Sequence, residues 1–167
     1  MQYLYERLAD LLGKPENDPV FDRLLDDLGS RPNLDHEDEN MRFWQFSDLG
    51  FGMMFDKRRG CFSVLIVELA TAAVEAGNVK QYSGNLPSGI VPSDRREEVQ
   101  MKLRMEPTTS NLIAGLTPKD RCDEYDIGDC RLSFTFNGLT EQLWMLTVSY
   151  KGLSAVCPEV QHAGPTT

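Results

Sequence analysis

The sequence predicts an α+β protein made of two tandem units, each a helix or helix pair followed by a three- to four-stranded antiparallel meander. Two stretches, 41–69 and 121–150, share a pattern of apolar runs separated by turns. When the chain is aligned with itself, the helix cap Asp18 falls on Ser93, and a slightly longer offset places Asp48 on Asp129. We therefore expect one unit over residues 1–80, a second over 81–157, and a flexible tail over 158–167.

Two helices are predicted at the start of the first unit. Residues 3–12 have helical periodicity, with one apolar face formed by Leu4, Leu8, Leu11 and Leu12. Asp18 is a typical N-cap, and Pro19 is favoured at the first position of a helix. This second helix should end at Gly29.

An exposed acidic loop over residues 31–40 should lead into the first meander, because the stretch is polar and has neither helical nor strand periodicity. Strands are predicted at 41–48, 49–56 and 61–70. Gly50-Phe51-Gly52 is interpreted as a bulge. The third strand is apolar on both faces, with Phe62, Val64 and Ile66 on one side and Leu65, Val67 and Leu69 on the other, which indicates cover on both sides.

The second unit should begin with a helix capped by Ser93 or Asp94 and ended by Pro107. Residues 108–119 have the composition of a loop. Strands are predicted at 122–127, 130–137 and 142–151, with a tight turn at Asn137-Gly138. The alternation in the middle strand predicts one wet face, formed by Arg131, Ser133 and Thr135.

The charge balance limits the classes of partner. The chain has 26 acidic and 17 basic residues, a formal net charge of −9, so it should repel nucleic acid and favour a protein with a basic surface. No apolar run is long enough to cross a bilayer, and the first residues lack a signal-peptide core, so no membrane contact and a cytoplasmic location are expected. The four cysteines are scattered and are interpreted as thiols.

The residue inventory predicts a protein that is not an enzyme and that needs no cofactor or metal. The only histidines are His36, in the acidic loop, and His162, in the tail, and neither is well placed to serve a nucleophile. The acidic loop has metal-ligating residue types, but contiguous ligands cannot all converge on one ion. A metal-dependent hydrolase that uses acidic residues, and a homo-oligomeric scaffold or homodimer, stay open as alternatives.

Acidic residues beside aromatic ones are the candidate partner-binding residues. Aromatic side chains supply large rigid contact area, and carboxylates supply complementarity to a basic partner. Each unit offers such a stretch before or within its first strand. The predicted interface consists of Asp35, Glu37, Asp38, Glu39, Trp44, Asp123, Glu124 and Tyr125.

Three stretches together carry a resemblance to a known class of proteins: LLGKPENDPVFDRLLDDLG, YSGNLPSGIVPSDRREEVQMKL and RLSFTFNGLTEQLWMLTVSY. In layout the chain resembles the bacterial immunity proteins of polymorphic and type VI secretion toxin–immunity pairs. Its tandem units are also similar to those of the beta-lactamase inhibitor proteins. The resemblance implies a non-catalytic protein that binds a cognate toxin in the cytosol and occludes its active site.

Overall fold

A single antiparallel sheet of eight strands is the framework of the fold, so the α+β class is confirmed. The computed structural model describes residues 4–70, 74, 77–113 and 120–151. The strands are β1 (Asn33–Glu37), β2 (Met41–Phe46), β3 (Phe51–Asp56), β4 (Cys61–Glu68), β5 (Thr109–Leu112), β6 (Arg121–Ile127), β7 (Cys130–Phe136) and β8 (Leu143–Tyr150). They lie in the order β1-β2-β3-β4-β8-β7-β6-β5.

Three helices are described: α1 (Leu4–Ala9), α2 (Pro19–Leu28) and α3 (Arg96–Leu103), with a 3-10 turn at Pro87–Gly89. The cap of α2 is as predicted, since the Asp18 carboxylate accepts a hydrogen bond from the backbone N–H of Val20 at 3.0 Å. The helix ends at Gly29, whose φ of 61° is in the left-handed region that glycine tolerates best.

The predicted cap of α3 was wrong by one to two residues. Arg95 is the N-cap, and its backbone N–H donates to the Glu98 carboxylate at 2.8 Å. Asp94 instead uses its carboxylate to accept from the backbone N–H of Val91 and to pair with the Lys102 ammonium at 2.6 Å. This pair fastens the chain before α3 to the last turn of the helix.

Both predicted loops before the meanders contain edge strands, which corrects the sequence interpretation. β1 pairs with β2, and β5 pairs with β6, so each half of the sheet has four strands. All four residues of β5 are exposed, and a strand with no buried face leaves no apolar alternation in the sequence. Residues 114–119 of the second predicted loop, and the predicted tail, lie outside the described residues.

The bulge of the first meander lies elsewhere than predicted. Gly50 has a φ of 74° in the β2–β3 turn, whereas Gly52 pairs regularly within β3. The register shift between β3 and β4 falls between Met54 and Phe55. As a consequence Phe62 is fully buried against the helices instead of sharing a face with Val64.

The two meanders join through β4 and β8, which pair antiparallel in the middle of the sheet. The sequence had suggested a separate sheet for each unit. β4 is the fourth of the eight strands and has a neighbouring strand on each side, so it lies at the centre of the sheet. This central position explains why both faces of β4 are apolar. The pairing includes Leu65 with Val148 and Ile66 with Thr147.

The hydrophobic core is continuous and lies between the helices and one face of the sheet. It unites leucines of α1 and α2 with the alternate strand residues of both meanders. Aromatic rings fill the first half: the Phe21 ring lies 5.6 Å from that of Phe55 and 6.0 Å from that of Phe62. The second half contains Tyr125 and Phe134, with ring centres 5.7 Å apart.

Candidate partner-binding surface

The side of the sheet opposite the described helices is called the outer face. It is only partly accessible, because Gln45, Cys122, Thr135 and Ser149 are buried, and the prediction of a wet face at Thr135 was therefore wrong. Strand alternation and pairing assign to it Met41, Phe43, Gln45, Gly52, Met54, Asp56, Val64, Ile66 and Glu68 of the first meander. From the second meander it receives Cys122, Glu124, Asp126, Arg131, Ser133, Thr135, Met145, Thr147 and Ser149. None of these side chains belongs to the core cluster beneath the helices.

The outer face is apolar in the first meander. Phe43 of β2, Met54 of β3 and Val64 of β4 are direct neighbours across the strands, and all three are half-buried. The Phe43 ring lies over Gly52, where an added Cβ would be 2.4 Å from the ring. Ile66 extends the apolar surface to the centre of the sheet. Half-buried apolar side chains on a sheet face are typical of a surface suited to a partner.

The outer face is polar in the second meander. The Arg131 guanidinium lies 3.5 Å from the Glu124 carboxylate and 3.0 Å from that of Asp126. The hydrogen bond from Arg131 lowers the pKa of the Asp126 carboxyl below its ordinary value, and the same bond raises the pKa of Arg131. The Lys151 ammonium lies 3.6 Å from the Asp126 carboxylate, so the two acids of this half are matched by two bases. Asp56 and Glu68 of the first meander add two carboxylates, and Asp56 is paired with Arg59 at 3.8 Å.

Two of the predicted acids, Asp38 and Glu39, lie in the β1–β2 turn and differ in whether their carboxylates are hydrogen-bonded. The Asp38 carboxylate accepts hydrogen bonds from the backbone N–H groups of Asn40 at 2.7 Å and Met41 at 2.8 Å, and these bonds lower its pKa. The side chain of Glu39 is exposed and has no ion pair or hydrogen bond among the described residues. Asp35 lies in β1, and its side chain is not among those described.

Glu37 is part of an internal ion-pair network. Its carboxylate accepts from Arg42 at 2.9 Å and from Lys57 at 3.0 Å, and these two hydrogen bonds lower its pKa. Arg42 also donates to Glu16, in the connection between α1 and α2. The network ties β1 to β2, to the β3–β4 turn and to the helical layer, so Glu37 is committed to the fold.

Trp44 lies on the helix side of the sheet, not on the outer face. Its ring centre is 4.7 Å from that of Phe55, and the side chain packs against the core cluster while half-buried. Its indole nitrogen is buried without a hydrogen-bond partner among the described residues. Trp44 therefore supports the sheet from beneath.

Asp123 and Tyr125 are fully buried beneath α3, so their side chains present no surface to a partner in this conformation. The Arg96 guanidinium of α3 donates to Asp123 Oδ2 at 2.6 Å, while Asp123 Oδ1 and the Tyr125 hydroxyl are buried without a hydrogen bond among the described residues. Burial, followed by the Asp123 charge, raises the pKa of Tyr125 to about 12. Glu124 points the other way and is the accessible member of this stretch.

The structure thus brings Glu124 to the outer face and leaves Glu39 exposed on a turn, but places Trp44, Asp123 and Tyr125 on the helix side. Sequence reasoning missed the apolar half of the outer face. Its signal was present in the alternation of Phe43 with Trp44 and of Met54 with Phe55, which by itself indicates only strands. The two-sided apolar pattern of β4 also pointed to it.

Two further findings concern other kinds of site. Within residues 4–70, 77–113 and 120–151, no group of three or more histidine, cysteine, aspartate or glutamate side chains is arranged to hold a metal ion. Among the helices of the described part of the chain, none is long and apolar enough to cross a membrane.

Comparison with known proteins shows the fold and nothing more specific. No family model matches the chain, and no curated protein matches its sequence. A Bacillus anthracis extracellular protein containing an SCP domain is similar in structure, with a TM-score of 0.53 and 11% identity. That match covers 84% of this chain but 44% of the other, so this chain spans less than half the length of that protein.

A second solved structure matches over nearly its whole length. YjgB, a DUF4309 family protein from Bacillus subtilis, has a TM-score of 0.52 and 13% identity, and the match covers 89% of this chain and 93% of that chain. At such identities the likeness establishes a shared α+β architecture. Function has to be argued from the surfaces of this chain itself.

Proposed function

We propose that this protein is a non-catalytic immunity protein that acts in the cytosol by binding a cognate bacterial toxin and occluding its active site. The observation that carries the proposal is the outer face: a sheet surface with an apolar area in the first meander and four carboxylates distributed over both meanders. Such a surface combines apolar area, which stabilises a complex, with charge, which speeds its formation. No reaction chemistry is required for this role.

We further propose that the fold arose from two tandem units. The register shift in the first meander, from Met54 opposite Val64 to Phe55 opposite Phe62, recurs at the equivalent place in the second, from Thr135 opposite Met145 to Phe136 opposite Leu143. The isolated bridge between Pro15 and Cys61 has its counterpart in that between Arg95 and Gln142. Independent sequences would have no reason to repeat both irregularities.

The central strand pairing agrees with the same symmetry. The offset that places Asp48 on Asp129 also places Ile66 on Thr147, and these last two residues face each other in the β4–β8 pair. A local two-fold axis through that pair would exchange the two meanders. For β2 the equivalence follows from the pairing, because Arg42 lies opposite Phe55 and Arg121 lies opposite Phe136. Two positions further along these strands, Trp44 is equivalent to Asp123.

The proposed partner is a protein with a basic surface. The whole chain has a net charge of −9, so complementary potentials would raise the rate of encounter. Glu39 is the predicted acid best placed to act in this way. Glu124 and Asp126, the second of which the sequence interpretation had not included, are already paired with Arg131. Asp123, Tyr125 and Trp44 would act through the fold that holds the surface.

The product of the gene immediately upstream is the probe for this proposal. Tagged protein should capture that product from a co-expressing strain and rescue the strain from its toxicity. Thr147→Lys places a cation at the centre of the outer face, and Thr140→Lys introduces the same change on the β7–β8 turn as a matched control. We expect Thr147→Lys to lose capture and rescue, and Thr140→Lys to keep both.

The two failures are distinguishable. Absence of capture and rescue by the wild-type protein would contradict the immunity function. Capture and rescue that survive Thr147→Lys unchanged would contradict the outer face as the interface while leaving the function in place.

A further inference from the structure

We propose that the edge strand β5 pairs with β5 of a second copy of this chain, so that two molecules form one continuous sheet. The inference starts from the difference between the two edges. β1 contains the charged run Asp35-His36-Glu37 and a register shift between Leu34 and His36, both of which discourage pairing with a further strand. β5 has the sequence Thr-Ser-Asn-Leu, with no charge, no proline and no register shift.

The free backbone groups of β5 are self-complementary. Ile113 donates its backbone N–H to Asp120, so by alternation Thr109 and Asn111 also bond toward β6. Ser110 and Leu112 therefore direct their N–H and C=O groups away from the sheet. In an antiparallel pair centred on Asn111, Ser110 of each copy would face Leu112 of the other, and four backbone hydrogen bonds would form.

An apolar side chain is exposed on the same edge, since Leu112 of β5 is 55% exposed. Met101 of α3 is 74% exposed, and Met105, just after the helix, is 40% exposed. α3 packs over β6, since its Arg96 reaches Asp123, which is the strand neighbour of Ser110. Solvent exposure of Leu112 at an unpaired edge favours a partner that covers it.

The strand spacing in such a dimer sets the distance between the two α3 helices. In the dimer, β6 and its symmetry mate would be separated by three strand spacings, about 14 Å. Two α3 helices above them would be further apart than the roughly 8–10 Å of directly packed helices. The space between the two helices would lie above Leu112 and its symmetry mate. A depression of about 280 Å³, lined by Gln100, Met101, Arg104, Met105 and Glu106, lies at the C-terminal end of α3.

Charge selects a second copy over the basic partner at this edge. Arg104 and Glu106 line the depression together, and Arg121 donates to the Ser110 hydroxyl at 3.1 Å. The charges at this edge are thus mixed in sign. Two copies can approach here without the repulsion that the net charge of the chain would otherwise produce.

Sedimentation equilibrium on the full chain tests the proposal. We expect the wild-type protein, at about 0.1 mM, to sediment with twice the 18.9 kDa of one chain. Ser110→Pro removes an N–H that faces solvent in the monomer, and Leu112→Lys adds a charge at the edge. Each should weaken the dimer at least ~10-fold, with an unchanged circular dichroism spectrum.

Leu139→Lys is the matched control, because Leu139 is 77% exposed on the β7–β8 turn, away from β5. It should leave the dimer intact. A monomer at all concentrations, or a dimer that Ser110→Pro and Leu112→Lys leave unchanged, would overturn the proposal. So would a monomeric wild-type protein that loses capture of a foreign partner on Ser110→Pro, since β5 would then belong to that partner.

Discussion

The ion pair between Arg96 and Asp123 joins α3 to a buried position of β6, and this makes its removal informative. In the proposed correspondence between two units, Arg96 would be equivalent to Phe21 and Asp123 to Trp44, two aromatic residues that both contact Phe55. One half of the protein thus fills the space beneath its helix with rings, and the other with a charge pair. The test compares Arg96→Ala, Asp123→Ala and the double variant.

The magnitudes follow from the unequal exposure of the two partners. Asp123 is fully buried, whereas the Arg96 side chain is 34% exposed and can regain water when its partner is removed. Removing one member of a buried pair destabilises a protein by about 3–5 kcal/mol when it leaves a charge unpaired in the interior. We therefore expect Arg96→Ala, which leaves the buried carboxylate alone, to cost about 3–5 kcal/mol. Asp123→Ala should cost less, about 2–3 kcal/mol.

Equilibrium unfolding in urea measures these free energies, with the slope of the transition compared between variants. The double variant should be more stable than the sum of the single losses predicts, because neither charge is then left alone. Replacing the pair by Arg96→Met with Asp123→Leu should restore wild-type stability to within about 1–2 kcal/mol. Equal losses for the two single variants, or losses below about 1 kcal/mol for both, would refute the reasoning.

Three further outcomes are expected. Gly50→Ala should destabilise the protein by about 3 kcal/mol, because a Cβ at Gly50 would lie 2.4 Å from the Tyr82 backbone nitrogen. Gly60 has a similar φ of 64° but open space around it, so Gly60→Ala should cost only about 1 kcal/mol. Equal losses of stability in thermal unfolding would contradict the close approach at Gly50. The lowered pKa values of Glu37 and Asp38 mean that these carboxylates stabilise the folded state at neutral pH and lose that contribution as pH falls below their ordinary range. A carboxyl NMR titration should show the midpoints of both groups below those of the unfolded chain. Midpoints at the ordinary values would contradict this prediction. Purified protein should contain no stoichiometric zinc, manganese or calcium by elemental analysis, and a bound metal lost on substitution of Glu37 and Asp38 would favour the hydrolase alternative.

The sequence predicted the elements that have a buried face and a chemical boundary. Asp18, Pro19 and Gly29 mark α2 by capping and stop signals that act locally. The six longer strands appeared as apolar runs because one side of each is buried in the core. Such features depend on neighbours along the chain and are therefore legible in one sequence.

The parts that the sequence did not predict depend on long-range pairing. β5 is exposed throughout and is held by backbone bonds to β6 and by exposed polar side-chain bonds such as that from Arg121 to Ser110, which leave no apolar pattern in the sequence. The burial of Asp123 requires the Arg96 side chain, which comes from a helix 27 residues earlier in the chain. Without knowledge of that partner, the acidic stretch beside Tyr125 is interpreted as exposed. The pairing of β4 with β8, which joins the two meanders, was likewise not predicted, although the apolar residues on both faces of β4 were consistent with a central strand.

Methionine side chains provide the most direct test of the outer face as the partner surface. Met54 and Met145 lie on the outer face, and Met101 and Met105 lie on or beside α3 on the opposite side. Protein labelled with ¹³C at the methionine methyl groups should be titrated with the upstream gene product at constant protein concentration. We predict that the Met54 and Met145 signals shift or broaden while the Met101 and Met105 signals keep their positions. Perturbation of the Met101 and Met105 signals with those of Met54 and Met145 unchanged would contradict the outer face as the partner surface.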